Sequence, residues 1–461
     1  MSLVITILYG LAALAVLILI HEFGHFIVAK MFGVRVETFS IGFGKGILKF
    51  KKGDTLYQIG YIPLGGYCKM AGEEPTDDLT GADYEFYSKS PGKRLLILFA
   101  GPFMNYLLGI ILLMIIYSIG NYRVSFSTKI DVLKKINISG KEIISPAYKS
   151  GLRSGDIIEK INNKKVKDWM DAKRKIIISG DEKKINLTVK RNNKILTLKV
   201  EPIINPDTGA SLLGIIPYIS NKIDAVLKDS PADRAGLKKG DIIIKINNKK
   251  VKKFIEIRNI IKKNPGKILL FTIKRGKKII TKRIKLAVDN GKGLLGVSFK
   301  SEDKIVLNKS KNIFYAFVDA FKRANRMVYE VIYGLKIMVS GKVKVRKAVS
   351  GPAKIVYFAG ETAQKYGFLN YIFIVAYISI ALAFFNLLPI PAVDGSYILF
   401  FLFEFITGKD LNYNIIRIIQ NVGLILITIL GVLIIFNDIL SLSSGSSNLQ
   451  QAKDIISSLM I

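Results

Sequence analysis

Two histidines and a glutamate stand close together near the start of the sequence, in the segment HEFGH. His21 and His25 are four positions apart, so on a helix their imidazoles lie on one face. Glu22 is displaced around that helix, where its carboxylate can reach a water molecule at a metal ion without binding the ion itself. These are the only two histidines in the chain. The spacing predicts a zinc site, and two structural histidines at a membrane boundary are the alternative.

A catalytic zinc ion usually has three protein ligands and keeps one position for water or substrate. The third ligand cannot be a histidine, and the single cysteine, Cys68, lies in a segment with a hairpin pattern. We expect a carboxylate from another apolar segment, and Asp394 in FFNLLPIPAVDGSYILFF is the persuasive candidate. Prolines and a glycine break the helix there, which is tolerated at membrane depth where the chain lines a cavity. A surface helix end capped by Asp394 is the alternative.

The apolar residues of the chain are concentrated in long runs. Half of the 461 residues are hydrophobic, and the mean hydropathy of +0.33 is high for a soluble enzyme. The runs occupy residues 3–20, Leu95–Ile119, Leu369–Pro389 and Val422–Leu440. Each is long enough to cross most or all of a bilayer as a helix, which predicts a multi-pass α-helical membrane protein with four transmembrane helices. A cleaved signal peptide is the alternative for the first run, but no basic start or small-residue cleavage site accompanies it.

The basic residues bear on both orientation and partners. Lysines and arginines flank the segment 31–94, which the positive-inside tendency places in the cytoplasm, with residues 120–368 and both termini outside. The net charge of +34 would suit a nucleic-acid partner. However, the lysines follow no single helix face and no nucleic-acid motif accompanies them, so we expect no nucleic-acid partner. A lysine-rich composition and a basic surface facing anionic lipid are the remaining explanations.

The region between the second and third runs contains an internal repeat. The segment SPAYKSGLRSGDIIEKINNKKV from Ser145 returns as SPADRAGLKKGDIIIKINNKKV from Ser230, about 85 residues later. Each copy combines a helix start, a Gly-Leu turn, a Gly-Asp that opens an apolar strand, and an Asn-Asn turn. This run resembles the PDZ domain, which implies two tandem PDZ domains at about 121–202 and 203–289. Leu212–Ile215 could bind a chain end in the second copy, and the first copy shows no obvious equivalent.

Two further segments have patterns that predict structure. ILKFKKGDTLYQIGYI has the pattern of a β-hairpin around Gly53, and Gly66–Met70 that of a strand with a free edge, with an ordinary solvated hairpin as the alternative. Residues 311–340 are amphipathic, which predicts a helix at the membrane surface, with a core helix of a soluble domain as the alternative. Its apolar face is formed by Phe314, Phe317, Phe321, Val328 and Val331.

The two candidate metal-binding segments together resemble the site-2 protease family of intramembrane metalloproteases. The resemblance rests on HEFGH in the first apolar run and on N-x-x-P-x-P-x-x-D-G in a later one, at Asn386, Pro389, Pro391, Asp394 and Gly395. Further matches are the loop from FSIGFGKGILKF to YIPLGGYCKM, the segment GPFMN and the segment SGPAKIV. The resemblance covers nearly the whole chain. Val393 departs from the leucine that the family usually has before Asp-Gly.

This resemblance implies roles for the singled-out residues. His21, His25 and Asp394 would ligate one zinc ion per chain, and Glu22 would be the general base and proton shuttle. Substrates would be single-pass membrane proteins within the lipid bilayer, such as anti-sigma factors and signal-peptide remnants, trimmed beforehand by another protease. The enzyme would lie in the bacterial cytoplasmic (inner) membrane, with the PDZ domains on the periplasmic side as a gate or size filter.

The substrate itself poses a physical problem, because a transmembrane helix hides its peptide carbonyls in hydrogen bonds. The strand that could hold an unwound substrate by β-augmentation comprises Gly66, Tyr67, Cys68 and Lys69. Asn386, in the broken helix, is a candidate for contacting the substrate backbone, with helix packing as the alternative. Asn105, in GPFMN, is a weaker candidate.

The sequence therefore predicts a membrane domain interrupted by a soluble region. The expected segments are 1–32 (first transmembrane helix with the zinc motif), 33–94 (cytoplasmic or re-entrant β-hairpin loop), 95–120 (second transmembrane helix), 121–202 and 203–289 (PDZ domains), 290–368 (amphipathic membrane-surface helices), 369–421 (third transmembrane helix with the broken segment) and 422–461 (fourth transmembrane helix and tail).

Three other classes of protein fit the sequence less well. A PDZ scaffold with an inactive membrane anchor would have lost the glutamate or the third ligand, and both are present. A serine protease needs a nucleophile motif and a separate histidine, and both histidines of this chain already belong to HEFGH. A transporter would show inverted repeats of its spans, and the four apolar runs are dissimilar.

Overall fold

The computed structural model describes residues 3–73, 79–138, 140–179, 182–205, 210–289, 291–341, 351–409 and 411–443. Its contacts divide the chain into two units, Met1–Arg123 with Leu307–Ile461, and Val124–Val306. The first unit holds the candidate metal-binding residues, and the second holds the internal repeat.

The described chain combines long helices with short strands. The helices are α1 (Leu3–Met31), α2 (Pro91–Ile119), α3 (Pro146–Lys149), α4 (Trp169–Ile178), α5 (Pro231–Arg234), α6 (Phe254–Lys262), α7 (Ile313–Val339), α8 (Pro352–Tyr366), α9 (Phe368–Asn386), α10 (Asp394–Thr407) and α11 (Tyr413–Ser443). The strands are β1 (Val36–Lys52), β2 (Thr55–Met70), β3 (Asn121–Phe126), β4 (Ile130–Val132), β5 (Lys135–Ile138), β6 (Lys141–Ile144), β7 (Ile157–Ile161), β8 (Lys164–Lys165), β9 (Ile185–Arg191), β10 (Lys194–Val200), β11 (Ile203–Ile204), β12 (Ser211–Leu212), β13 (Ile215–Pro217), β14 (Ile219–Val226), β15 (Ile242–Ile246), β16 (Lys249–Lys250), β17 (Ile268–Arg275), β18 (Lys278–Lys285), β19 (Ala287–Asp289), β20 (Lys292–Leu294), β21 (Val297–Ser301) and β22 (Asp303–Asn308).

Four helices of the described chain are long and apolar enough to cross a membrane, as the sequence predicts. They are α1, α2, α9 and the part of α11 from Asn414 to Phe436. The helix α11 begins ahead of the predicted run Val422–Leu440. The run starts later because Arg417 and Gln420 in the first turns of the helix lower the local hydropathy. The predicted tail beyond Ser443 lies outside the described residues.

The helices α1, α2 and α9 pack very closely. A Cβ atom built on Gly24 of α1 would lie 2.4 Å from the carbonyl oxygen of Ala100 on α2, so the absence of a side chain lets the two backbones touch. On the other side of α2, the hydroxyl of Ser379 on α9 donates to the carbonyl oxygen of Asn105 at 2.7 Å. The three helices therefore form a compact frame for the polar residues between them.

The predicted amphipathic helix is present as α7, but one of its faces is buried. Its buried face packs against α2 and α9 in one hydrophobic cluster through Ala320, Ala324 and Met327. The predicted aromatic stripe is exposed at Phe314, Phe317 and Phe321. Val328, predicted on that stripe, packs beside the buried cluster instead. The exposed aromatic side is free to face lipid.

The hairpin predicted around Gly53 joins β1 to β2. The start of β1 pairs with two separate parts of β2. Thr38–Ile41 pair with Gly66–Lys69 on one side and with Leu56–Ile59 on the other. The segment Gly66–Lys69 thus forms an edge, and no further described strand pairs with it.

The second unit contains two copies of one arrangement, each with its own core. Ser145 and Ser230 cap the short helices α3 and α5 through their hydroxyls. In the first copy Arg191 forms two hydrogen bonds to the buried carboxylate of Asp156. Arg275 does the same with Asp241 in the second copy. The sequence repeat is therefore also a repeat of specific polar contacts.

The Leu-Leu-Gly segment predicted for the second copy completes the first one. Leu213 lies in the first core, and β13, which follows it, pairs with β4. The second copy has its own segment, with Leu295 in its core and Gly296 ahead of β21. Gly214 and Gly296 have φ angles of 79° and 81°, and a Cβ on either would meet the capping serine at 2.3 and 2.2 Å. The expected boundary after residue 202 is therefore too early, because this segment returns to the first core.

The expectation of helices throughout 290–368 is wrong for its first part. Residues 292–308 form β20, β21 and β22. In VSFKS, apolar and polar residues alternate with the period of a strand, and Val297 pairs with Val226 of β14. Residues 342–350 lie outside the described part of the chain.

Candidate metal centre

The helix α1 holds both histidines in the interior, next to α2. His21 and His25 are 9% and 6% exposed. A Cβ atom on Gly101 of α2 would lie 2.2 Å from Nε2 of His25 and 2.9 Å from Cε1 of His21. The first residue of GPFMN must therefore be glycine if the two imidazoles are to fit against α2.

Asp394 approaches the histidines from a break between two helices. The helix α9 ends at Asn386 and α10 begins at Asp394 itself. Between them Pro391 lacks the amide hydrogen that a helix needs, and Ala392 adopts a left-handed conformation with φ of 70°. The predicted break is therefore present, and it turns the chain so that Asp394 faces α1.

The atoms that could bind a metal ion converge. Oδ2 of Asp394 lies 3.2 Å from Nε2 of His21 and 3.6 Å from Nε2 of His25. The two Nε2 atoms are 3.2 Å apart. Together with Asp394 they form a cluster whose candidate ligand atoms all lie within 4.8 Å of one another. Residues from opposite ends of the sequence thus form one donor set, as the sequence predicts.

The chemistry of these atoms fits a cation. Nδ1 of His25 lies 2.8 Å from the carbonyl oxygen of Ile97 and donates to it, which leaves the lone pair of Nε2 directed into the cluster. Oδ2 of Asp394 is buried and has no hydrogen-bond donor within the described residues. A buried carboxylate oxygen and two imidazole nitrogens without a shared proton donor would repel one another, and a metal ion relieves that repulsion.

Asn105 and Asn386 contact the outer side of His21. Nδ2 of Asn105 lies 3.4 Å from Nδ1 of His21, and Nδ2 of Asn386 lies 3.5 Å from both ring nitrogens. Oδ1 of Asn105 is buried and has no partner in the described part of the chain. Because the two ends of an amide have the same shape, a half turn of Asn105 brings this oxygen to Nδ1–H and leaves Nε2 free for a metal.

Glu22 lies where the helix α1 meets the free edge of the β-sheet. A Cβ atom on Gly66 would lie 3.6 Å from Cγ of Glu22. The backbone of Cys68 interacts with the Glu22 carboxyl group, and the amide of Met70 donates to Glu73 at 3.0 Å. Alternate residues of the edge thus present their backbone toward acidic side chains. The predicted substrate strand is adjacent to the predicted general base.

A cavity of about 1090 Å³ connects these groups. It is lined by His21, Glu22, His25 and Asp394, by Tyr67, Cys68 and Lys69 of the edge, and by Glu73 and Gln420. Burial raises the pKa of the Cys68 thiol, so the thiol is neutral at physiological pH. Burial also raises the pKa of Glu73 to about 7, so its carboxyl group exchanges a proton near neutral pH.

Sequence patterns did not reveal every residue of the centre. The contact from His25 goes to the backbone carbonyl of Ile97, which every residue type has, so no sequence pattern can indicate it. Gln420 lies in a turn that also carries Arg417 and Asn421, so by sequence it resembles part of a solvated helix end. The glycine of GPFMN belongs to a matched segment, but its close approach to the imidazoles appears only in three dimensions.

A bundle of membrane-crossing helices around a His-His-Asp cluster with an adjacent glutamate defines a membrane-embedded metallopeptidase. The family model described as Peptidase family M50 matches residues 9–430. The chain belongs to this family, and it is a zinc metalloprotease. The resemblance to site-2 proteases is therefore confirmed.

Bacterial relatives match along almost their full length. The regulator of sigma-E protease RseP of Escherichia coli K12 is 31% identical over 451 residues, which cover 93% of this chain and 97% of the relative. RseP of Salmonella typhimurium is 31% identical, with 94% and 99% covered. A relative from Neisseria meningitidis, provisionally named a zinc metalloprotease, is 30% identical, with 94% and 98% covered.

One solved structure that matches part of this chain is the PDZ domain of an SdrC-like protein from Listeria monocytogenes. It is 26% identical to this chain, and the match covers 18% of this chain and 90% of that one, with a TM-score of 0.17.

Asn105→Ala should lower the zinc affinity by about 10- to 100-fold, because partners of metal-binding histidines have effects of this size. The measurement is competition for zinc between a chromogenic chelator and the purified full-length protein. Asn370→Ala is the matched control, since this half-buried asparagine of α9 donates to the carbonyl of Tyr366 on the neighbouring turn and not to a histidine. Wild-type affinity in Asn105→Ala would contradict the contact with His21.

Proposed function

We propose that this protein is a zinc-dependent intramembrane endopeptidase that cuts the transmembrane segments of single-pass membrane proteins. The observation that carries the proposal is the position of the His21, His25 and Asp394 cluster. It lies among membrane-crossing helices, in the same cavity as Glu22 and the free edge at Tyr67–Lys69. This position would let a peptide bond of an unwound transmembrane segment reach the cluster as an extended chain.

In this proposal His21, His25 and Asp394 hold one zinc ion per chain. Zinc supplies Lewis-acid activation of the scissile carbonyl and of water. The contact between His25 and the Ile97 carbonyl fixes the ring in the orientation that ligation needs. The close packing at Gly24 and Gly101 holds α1 and α2 together so that the two imidazoles keep their separation.

Glu22 is the proposed general base and proton shuttle. It is one residue from His21 but on a different side of α1, so it can approach the cluster without entering the ligand set. Its carboxylate takes a proton from the attacking water, and the protonated form then delivers that proton to the leaving amine. The backbone contact with Cys68 holds the carboxyl group beside the strand that receives the substrate.

The free edge is the proposed binding surface for the unwound substrate. Gly66, Tyr67, Cys68 and Lys69 pair with β1 on one side only, and the other side lies beside Glu22. Main-chain hydrogen bonds along such an edge hold any sequence in an extended form. Asn386 is proposed to contact the substrate backbone, since its amide lies at the same cluster.

Cys68→Pro should lower kcat/KM by about tenfold, because proline removes an amide that faces both the free edge and Glu22, and one such hydrogen bond contributes about 1 kcal/mol. Zinc content should stay at the wild-type level. The measurement is cleavage of a single-pass substrate in detergent, with zinc determined on the same samples. Cys68→Ala is the control, since it keeps the amide. Equal kcat/KM in the proline and alanine variants would contradict binding at this edge.

We further propose that the two repeat copies are tandem PDZ domains placed between the second and third spans. Each has a capping serine, an Asp–Arg pair and a Leu-Leu-Gly segment, which support one shared fold. They would lie on the outer side of the bacterial cytoplasmic (inner) membrane and act as a gate or size filter. Anti-sigma factors and signal-peptide remnants, trimmed first by another protease, are the proposed substrates.

The direct test of the function is the location of the cut. A purified single-pass membrane protein would be incubated with the wild-type enzyme and with Glu22→Gln, and the products would be mapped by mass spectrometry. We expect cleavage within the apolar segment by the wild type only. Cleavage confined to the soluble flanks, or equal cleavage by both proteins, would contradict an intramembrane site.

A further inference from the structure

Gln420 connects the fourth span to the loop that carries Asp394. It lies on α11 and is 6% exposed. Its Nε2 donates to Oγ of Ser396 at 2.7 Å, and its Oε1 accepts a hydrogen bond from the amide of Ala392 at 2.5 Å. These two partners stand two residues before and two residues after Asp394. One side chain therefore holds both ends of the turn from which this carboxylate projects.

The turn needs such support because its backbone is strained. Ala392 has a φ of 70°, a conformation that costs an alanine about 1 kcal/mol or more. An amide in this turn cannot use the regular helical pattern, and the acceptor that it finds is on another helix. Ser396 extends this hydrogen-bond chain, since its hydroxyl accepts from Gln420 and donates to the carbonyl of Val393 at 2.8 Å. The hydrogen bonds from Ala392 through Gln420 and Ser396 to Val393 thus surround Asp394.

A second contact presses the same turn against α11. A Cβ atom on Gly423 would lie 2.0 Å from Cβ of Pro391. Gly423 is three residues after Gln420, so both stand on one side of the helix. The turn therefore rests directly on the backbone of α11, with Gln420 as the polar anchor.

We propose that Gln420 is a positioning residue for Asp394, and that the fourth span thereby completes the metal centre. The proposal rests on the role of Asp394 as third ligand given above. Metal ligands must be held to within about 0.5 Å of the productive geometry. Oδ2 of Asp394 is placed 3.2 Å from Nε2 of His21 by a turn that, without Gln420, would lose both hydrogen bonds that this side chain makes to it from α11, at Ala392 and at Ser396.

The alternative role of Gln420 is to attach the fourth span to the rest of the membrane domain. Both roles predict a less stable variant, so stability cannot separate them. Only positioning predicts a change at the metal itself. The rate of zinc release and the visible spectrum of the cobalt-substituted protein report the ligand geometry without any cleavage assay.

The test uses Gln420→Met in the full-length protein, because methionine keeps the volume and removes both hydrogen bonds. We expect zinc to leave about ten times faster, and the cobalt bands to shift. Gln420→Glu should recover much of the wild-type rate, since its carboxylate still accepts from Ala392. Ser396→Ala, which removes one of the two partners, should give a smaller effect and serves if Gln420→Met does not fold.

The matched control is Gln364→Ala. Gln364 on α8 donates to Oγ1 of Thr6 on α1 at 2.8 Å, so it is also a glutamine that joins two helices, and this hydrogen bond lies outside the turn. Its variant should release zinc at the wild-type rate. A wild-type rate and spectrum in Gln420→Met would overturn the proposal and leave the metal site intact. Absence of zinc from the wild type would instead overturn the proposed function, and this proposal with it.

Discussion

Glu22→Gln should slow peptide cleavage by about 10²- to 10⁴-fold and leave the zinc content unchanged. Glutamine keeps the shape of the side chain but can neither take a proton from water nor deliver one to the leaving amine. The carboxyl group lies beside the edge strand and outside the ligand cluster, so its loss should not disturb zinc binding. The measurement is single-turnover cleavage of a single-pass substrate, with zinc determined by mass spectrometry on the same protein.

A second acidic residue of the cavity provides the control for Glu22. Glu37 on β1 lines the same cavity and forms an ion pair with Lys69 at 3.3 Å, so Glu37→Gln changes the charge of the cavity by the same amount. Its turnover should stay within a few-fold of the wild type, because an exposed ion pair contributes little. If Glu22→Gln retained wild-type turnover, or if it lost zinc, the role assigned to Glu22 would be wrong.

Asp394→Asn should lower the zinc affinity by about 100-fold or more, and cleavage should fall with it, because an uncharged amide is a weak zinc ligand. The overall fold should persist, since asparagine keeps the shape of the side chain and the contacts of Oδ2 are those to His21 and His25 of the cluster. The two readouts are zinc affinity by chelator competition and the far-ultraviolet circular dichroism spectrum.

The control for Asp394→Asn is the same change at an exposed position. Asp319 on α7 accepts a hydrogen bond from Ser310 at 2.6 Å and lies outside the cavity. Asp319→Asn should bind zinc like the wild type. Wild-type zinc affinity in Asp394→Asn would show that the third ligand is another group.

The parts of this site that could be predicted are those whose residues are close in sequence or rare. The spacing of His21 and His25 fixes a shared helix face, and with no other histidine in the chain the third ligand had to be sought among carboxylates. The prolines before Asp394 mark a helix break by their own chemistry. The structure places these residues together, and their roles as ligands stay predictions.

Contacts between distant segments could not be predicted in the same way. The Leu213-Gly214 segment follows the first copy in sequence and precedes the second, and only its burial in the first core decides where it belongs. Gln420 belongs to no sequence motif. Its importance follows from the hydrogen bond that it accepts from the amide of Ala392, which lies in the turn before α10. The strand β21 within residues 292–308 forms because β14 offers its edge.

The most direct test of the account is the zinc content of the purified wild-type protein together with its activity after metal removal. We predict about one zinc ion per chain, loss of cleavage after treatment with a strong chelator, and recovery when zinc is returned. A preparation that contains no zinc and still cleaves its substrate, or that cleaves equally well after the metal is removed, would contradict the assignment of His21, His25 and Asp394 as the catalytic metal centre.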